Sequence, residues 1–230
     1  MFYFRINKIK IFDNKEGRKI LGLFGRDIAQ VKLLSFINTN LAGFLPDMEE
    51  LLLTNDSAKK KEIIKKAVET IVSSRIFTPI ENVKDNHQMI FGDTGFVLFQ
   101  SKEIPDHFDW QFIAYESDSN IRDAAKIVTD ILADKGFDSF TKSISGLLKK
   151  SANPAFTATT EITKYIINVI ANAARANKDD LIGILYMSLN RQEHFLHGER
   201  KKDDVPDLTN NMLIDYSIFA YQEKQARFTR

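Results

Sequence analysis

Period-two alternation of apolar residues opens and closes this chain, and no other feature restricts its fold as much. At the start, Phe2, Phe4 and Ile6 alternate with Tyr3, Arg5 and Asn7, and the apolar parity then moves to Ile9 and Ile11. Alternation is what a strand with one buried face requires, and a parity change inside one strand is what a β-bulge produces. At the end, Met212, Ile214, Tyr216, Ile218 and Ala220 alternate with Leu213, Asp215, Ser217, Phe219 and Tyr221. Strands that flank everything else predict that the two ends meet in one sheet.

More strands lie between them. "QVKLLSFIN" (30–38) alternates, and "FDWQFIAYE" (108–116) carries Ile113 on its otherwise polar side, the mark of burial on both faces. "QMIF" and "GFVLFQ" flank "GDTG" (92–95), which predicts a hairpin. "LIGILYMSL" (181–189), apolar at nearly every position, predicts a central strand lying beside the last one.

The period changes twice to that of a helix. After a cap at Asp56 or Ser57, Ile63, Ile64, Ala67, Val68, Ile71 and Val72 form one stripe, preceded by a short helical turn from Asp47. The second block starts from a cap at Asn120 with Asp123 behind it. It places Ile121, Ala125, Val128, Ile131 and Leu132 on one face, then Phe140, Ile144, Leu147 and Leu148 on another. "SANPAFTATT" interrupts it. A third helix runs from near Thr160 to Asn177, with Ile162, Tyr165, Ile166, Val169, Ile170, Ala173 and Ala174 on its core face.

No strict β-α-β rhythm appears, which argues against a doubly wound parallel sheet. The expectation is a single α+β domain over 1–230: an antiparallel β-sandwich with helical insertions at about 47–76 and 120–177. In architecture this order of short strands and long insertions resembles the C2-like sandwiches. The resemblance lies in element order and not in a motif. It implies a module that binds calcium or membrane surfaces through its loops.

Several function classes drop out on composition. The chain has no cysteine, which removes disulfides, thiol catalysis and cysteine metal sites. Its 32 basic and 31 acidic residues give a net charge of +1, too balanced for a general phosphate-gathering field, so nucleic acid is not the expected partner. The lysine-rich "AKKKEIIKK" (58–66) reads as a solvated helix face. Gly17, Gly22 and Gly25 match neither a dinucleotide fingerprint nor a P-loop. Arg5, Lys8 and Lys10 interrupt the apolar N-terminal run, unlike a signal peptide, and no transmembrane segment is present. The expected compartment is the cytoplasm, with leaderless export left open. Trp110 reads as core, and His87 and His107 as surface residues without a partner.

"RQEHFLHGERKKDDVPDLTNN" (191–211) is the candidate site. A connection of roughly twenty residues far exceeds the usual two to five of a hairpin. His194 and His197, three apart, with Glu199 form a histidine-carboxylate set suited to zinc. Asp203, Asp204 and Asp207 offer oxygens to calcium, with "ESDSN" (116–120) as a second acidic loop. Interleaved charges at Arg191, Arg200, Lys201 and Lys202, with Phe195 as an apolar anchor, suit a partner-docking surface. Three functions follow in order: a non-enzymatic interaction or structural component of a larger protein assembly, homo-oligomeric or built with other subunits; a C2-like module binding calcium or membrane surfaces; and a metal-dependent hydrolase using His194 and His197. The first needs no cofactor.

Overall fold

The structure, a computed structural model, describes residues 1–15, 28–39, 48–116, 124–176, 181–194 and 198–221. Gly17, Gly22 and Gly25, the helix start expected at 120–123, and Asn177 lie outside the described residues. Strands β1 (Phe2–Ile11), β4 (His87–Ile90), β5 (Phe96–Ser101), β8 (Gly198–Pro206) and β9 (Met212–Ala220) make an outer sheet. Its order is β4-β1-β9-β8, with β5 also on β1. Strands β2 (Ala29–Thr39), β3 (Ile76–Val83), β6 (His107–Glu116) and β7 (Leu181–Asn190) make an inner sheet in the order β3-β2-β6-β7. Five helices cover the far face of the inner sheet: α1 (Met48–Leu53), α2 (Ser57–Ser73), α3 (Ala124–Ala133), α4 (Phe137–Leu148) and α5 (Pro154–Ala176). Every strand pairing is antiparallel, and the fold is an α+β sandwich. No helix among the described residues is long and apolar enough to cross a membrane.

The inner sheet has two apolar faces, and each meets its own cover. Phe108, Trp110, Phe112 and Ala114 of β6 point to the outer sheet, where Phe4 sits 5.0 Å from the Phe108 ring and 5.1 Å from Trp110. Ile113 and Tyr115 of the same strand point to the helices. Each large side chain so buried contributes about 1.5–3 kcal/mol. Helix α5 lies directly on the inner sheet, with both Ile166 and Ile167 fully buried, and the other helices pack around it.

The expected meeting of first and last strands is borne out: β1 pairs antiparallel with β9 from Phe2↔Ala220 to Ile11↔Met212. So is the bulge. The register skips between Ile6 and Lys8, leaving Asn7 as the extra residue, and the inward set resumes at Ile9. Asn7 then donates through Nδ2 to Ser217 Oγ at 2.7 Å.

The same bulge explains why the hairpin expected at 92–95 is absent. β4 and β5 do not pair with each other; they run end to end along one edge of β1, β4 against 8–11 and β5 against 2–6. An extra residue bends β1, and its edge partner must break to follow it. Gly92 and Gly95, at φ 69° and 72°, make that break. A Cβ at Gly95 would lie 2.7 Å from Asn7 Oδ1, so the turn seats directly on the bulge.

Three further expectations are corrected. Among the described residues β7 is not central but the edge of the inner sheet, beside β6 alone, and it does not pair with β9, which lies in the opposite sheet. Its continuous apolar run reports cover on both faces, by the outer sheet and by helices, and says nothing of lateral position. Helix α5 begins at Pro154, not near Thr160: Asn153 Oδ1 accepts from Phe156 N at 3.2 Å, and proline stands at the first helical position, where its missing N–H costs nothing. In α4 the buried stripe is Phe137, Thr141, Ile144 and Leu148, while Leu147 is 48% exposed.

These placements set unequal costs. Ile166→Ala is expected to lower unfolding stability by about 2–5 kcal/mol in urea titration, and Leu147→Ala by less than about 0.5 kcal/mol. Similar losses for both would refute the placement of α4 and α5.

Candidate functional site

The stretch 191–211 is not one loop. It contains a single helical turn, α6 (Arg191–His194), then β8, then a tight turn into β9. Arg191 caps the end of the inner sheet, its backbone N–H donating to Asp106 O at 2.9 Å and its Nη1 reaching Asp106 Oδ1 at 3.3 Å. Phe195 and His197 lie outside the described residues, as does 117–120 of the second acidic loop, and α6 places the backbone of His194. Residues that read as a solvent excursion belong instead to a strand: Glu199↔Phe219, Arg200↔Ile218, Lys201↔Ser217 and Lys202↔Tyr216 are in register with β9. Among the described residues β8 has no second neighbour, so it forms an edge of the outer sheet.

The ladder skips between Lys202 and Val205. Asp203 and Asp204 occupy this second bulge, with Asp204 at φ 53° and its N–H donating to Asp215 Oδ1 at 2.7 Å. On the outer face Lys8 bridges Asp204 at 3.2 Å and Asp215 at 2.8 Å. The hydrogen bond to Asp215 is the first cause that raises the Lys8 ammonium above its ordinary value.

Asp207 sits apart from these surface acids. It is 3% exposed, and its two oxygens accept five hydrogen bonds. Oδ2 takes Ile184 N (3.0 Å), Thr209 N (2.8 Å) and Thr209 Oγ1 (2.6 Å); Oδ1 takes Asn211 N and Met212 N, both at 2.8 Å. Asn211 Nδ2 donates to Ile182 O and Asp13 O, and Leu208 N donates to Ile184 O. The turn therefore ties β7, the end of β1 and the β8–β9 hairpin together. Gly183 makes room for it: a Cβ there would meet Met212 Sδ at 2.5 Å and Asp207 Oδ2 at 3.0 Å. Among the described residues no three His, Asp or Glu side chains gather closely enough to hold a metal ion.

A second polar constellation lies where the inner sheet meets α5. Asn38, Asp109 and Ser188 stand in one register row across β2, β6 and β7. Asp109 is 2% exposed; Thr160 Oγ1 donates to its Oδ2, Ser188 also bonds to it, and its Oδ1 has no partner among the described residues. Gln111 donates through Nε2 to Thr160 O at 3.2 Å, and Asn38 donates to Thr163 Oγ1 at 3.3 Å. Burial pushes the Asp109 carboxyl above its ordinary value, against the hydrogen bonds from Ser188 and Thr160 and the charges of Lys164 and His107. His107, expected at the surface without a partner, stacks on Phe156 at 5.1 Å. Sequence reasoning passed over this row, although its signal was visible as an aspartate inside an apolar strand and the threonine-rich "TATTEIT" (157–163).

No family model matches this chain, and no curated protein matches it. Among solved structures it is similar to "Structure of Drosophila C2-DSL-EGF1" at 10% identity and a TM-score of 0.37, covering 95% of this chain and 65% of that one. This chain therefore spans less than two thirds of that structure's length, and a score of this size does not establish a common fold.

Asp207→Ala strands several buried N–H donors and is expected to cost about 3 kcal/mol or more in urea titration. Asp207→Asn should not rescue it, since an amide nitrogen would face backbone donors; full stability in either variant would refute the clamp. For Asp109 the folded carboxyl is raised, so its contribution is complete below the unfolded value of about 4 and is lost as pH rises through the folded one. Asp109→Asn should therefore gain on the wild type between about pH 4 and neutrality. Thermal melts across that range check it, and parallel profiles would count against it.

Proposed function

We propose that this chain is a non-enzymatic interaction module, acting as one domain over 1–230 and as a subunit of a larger protein assembly in the cytoplasm. The observation that supports this reading is the β8 edge. Seven of its nine residues pair with β9, and among the described residues its other side has no strand neighbour. An exposed edge of that kind is a template for strand addition. Arg200, Lys201 and Lys202 stand along it, and charges at such a rim set the rate of encounter and the choice of partner. Arg191 at the entry to β8, with Phe195 beyond the described residues, completes the proposed contact. No cofactor is required.

The test is combined charge reversal, Arg200→Glu with Lys201→Glu and Lys202→Glu, in the tagged full-length chain. Recovery of the assembly from native extract, read by size and by pull-down, should fall about tenfold or more. Lys201 and Lys202 are exposed and Arg200 is half-buried, so the melting temperature should fall far less than recovery does, since exposed substitutions seldom cost more than about 0.5 kcal/mol. Unchanged recovery would overturn the reading.

A further inference from the structure

We infer that the partner at this edge is an acidic extended segment of another protein, added antiparallel to β8 across Glu199, Arg200, Lys201 and Lys202. The inference rests on the edge reading above and names the chemistry of the partner. Along a strand, the backbone N–H and C=O of successive residues point to alternate sides. Both register skips fall in the neighbours of β9, so β9 itself keeps one phase throughout. Tyr221 N donates to Met1 O at 2.9 Å and Phe12 N donates to Asn211 O at 2.9 Å, which turns odd-numbered residues toward β1. Met212 O accepts from Asp207 N at 3.1 Å, which turns even-numbered residues toward β8.

That phase sorts the residues of β8. Arg200 lies opposite Ile218 and Lys202 opposite Tyr216, so both spend their backbone groups on β9. Glu199 and Lys201, opposite Phe219 and Ser217, turn theirs the other way, where no strand lies among the described residues. The ladder on offer is short. Beyond Lys202 comes the bulge, where Asp204 N is spent on Asp215 Oδ1, and Pro206 has no N–H to give. A segment crossing here exchanges about four main-chain bonds, two each with Glu199 and Lys201. Selection among candidate segments then falls to the side chains.

Directly opposed residues of an antiparallel pair share one face of the sheet, so the charge at each position sets its match. Lys201 is in register with Ser217, which bonds Asn7 on the outer face; Glu199 shares that face and its Oε1 lies 3.3 Å from Lys201 Nζ. Arg200 and Lys202 stand on the other face, in register with Ile218 and Tyr216. Three basic residues against one acidic leave this stretch with a surplus of two positive charges. Asp203 and Asp204 lie past the open ladder, and Asp204 is bound to Lys8. The matching segment, read from its N-terminus, is therefore acidic opposite Lys202, acidic opposite Lys201 and basic opposite Glu199. Lysines along an edge also turn away other basic edges, so the residues that admit an acidic strand reject an unsuitable one.

The experiment titrates the full chain with a labelled synthetic peptide, Thr-Val-Glu-Glu-Thr-Lys-Val, whose glutamates oppose Lys202 and Lys201 and whose lysine opposes Glu199. One control carries lysine in place of both glutamates. Another is N-methylated at the second glutamate and at the lysine, the two residues whose N–H groups meet the edge. Fluorescence anisotropy reads the affinity, and amide hydrogen exchange reads the place. The first peptide should bind and slow exchange at Glu199 and Lys201, and each control should bind about tenfold or more weakly. The variant Lys201→Glu with Lys202→Glu, altered at two exposed positions and checked for folding by circular dichroism, should prefer the all-lysine peptide instead. No binding, equal binding of the N-methylated peptide, or a preference that the variant does not invert would overturn the inference. If the peptide fails to bind while the triple reversal still releases an assembly from native extract, the acidic-strand inference falls and the assembly reading stands. If the peptide binds as expected and the triple reversal leaves recovery unchanged, the edge chemistry stands and the assembly reading falls. If neither responds, both fall.

Discussion

A sheet that is apolar on both faces cannot stand alone in water, and this requirement organises the whole molecule. β6 presents Trp110 and Phe112 one way and Ile113 and Tyr115 the other, and β2 presents Leu33 one way and Leu34 and Phe36 the other. One side is covered by a second sheet and the other by helices gathered around α5. The outer sheet needs only one apolar face, so β1 on either side of its bulge and β9 alternate, and the far side carries Arg5, Lys8, Lys10 and Asp215. Position in the stack, more than propensity, decides which strands look uniformly hydrophobic.

Apolar layers can slide over one another, and a few buried polar groups hold them in place. At one end Asp207 fastens the outer sheet's hairpin to the edge of the inner sheet through main-chain donors. Between sheet and helices, Asp109, Gln111 and Asn38 engage Thr160 and Thr163, which fixes where α5 sits along the strands. Bonds with such geometry favour one arrangement over its neighbours, and in dry surroundings a slip would strand several of them together. Asp109 Oδ1 and Gln111 Oε1, without a partner among the described residues, mark the cost of that arrangement.

Legibility in the sequence followed periodicity. The bulge in β1, the Asp56-capped helix and the pairing of the two ends were all readable, because alternation and capping are local signals. Lateral order was not. The apolar run of β7 could not distinguish a middle strand from an edge strand covered above and below. Pro154 looked like a breaker because its effect depends on being first in the helix. The greatest misreading concerned 198–206, whose charges hid a strand: an edge facing water on one side loses the apolar alternation that would betray it. Glycines 92 and 95 signalled a break in the strand, but the reversal read from them does not occur: at the bend in β1 the chain carries on in the same direction along the same edge.

The interrupted strand opposite β8 has a consequence for how many copies can associate. β4 and β5 are offset by a glycine kink, so the lateral boundary they form is not straight and does not present a continuous ladder to an incoming chain. β8, the opposite boundary, is itself interrupted by the bulge at Asp203 and Asp204, so among the described residues neither side of the outer sheet offers an uninterrupted ladder. Both sides of this sheet thus carry an interruption of the kind that discourages open-ended edge-to-edge growth into fibres.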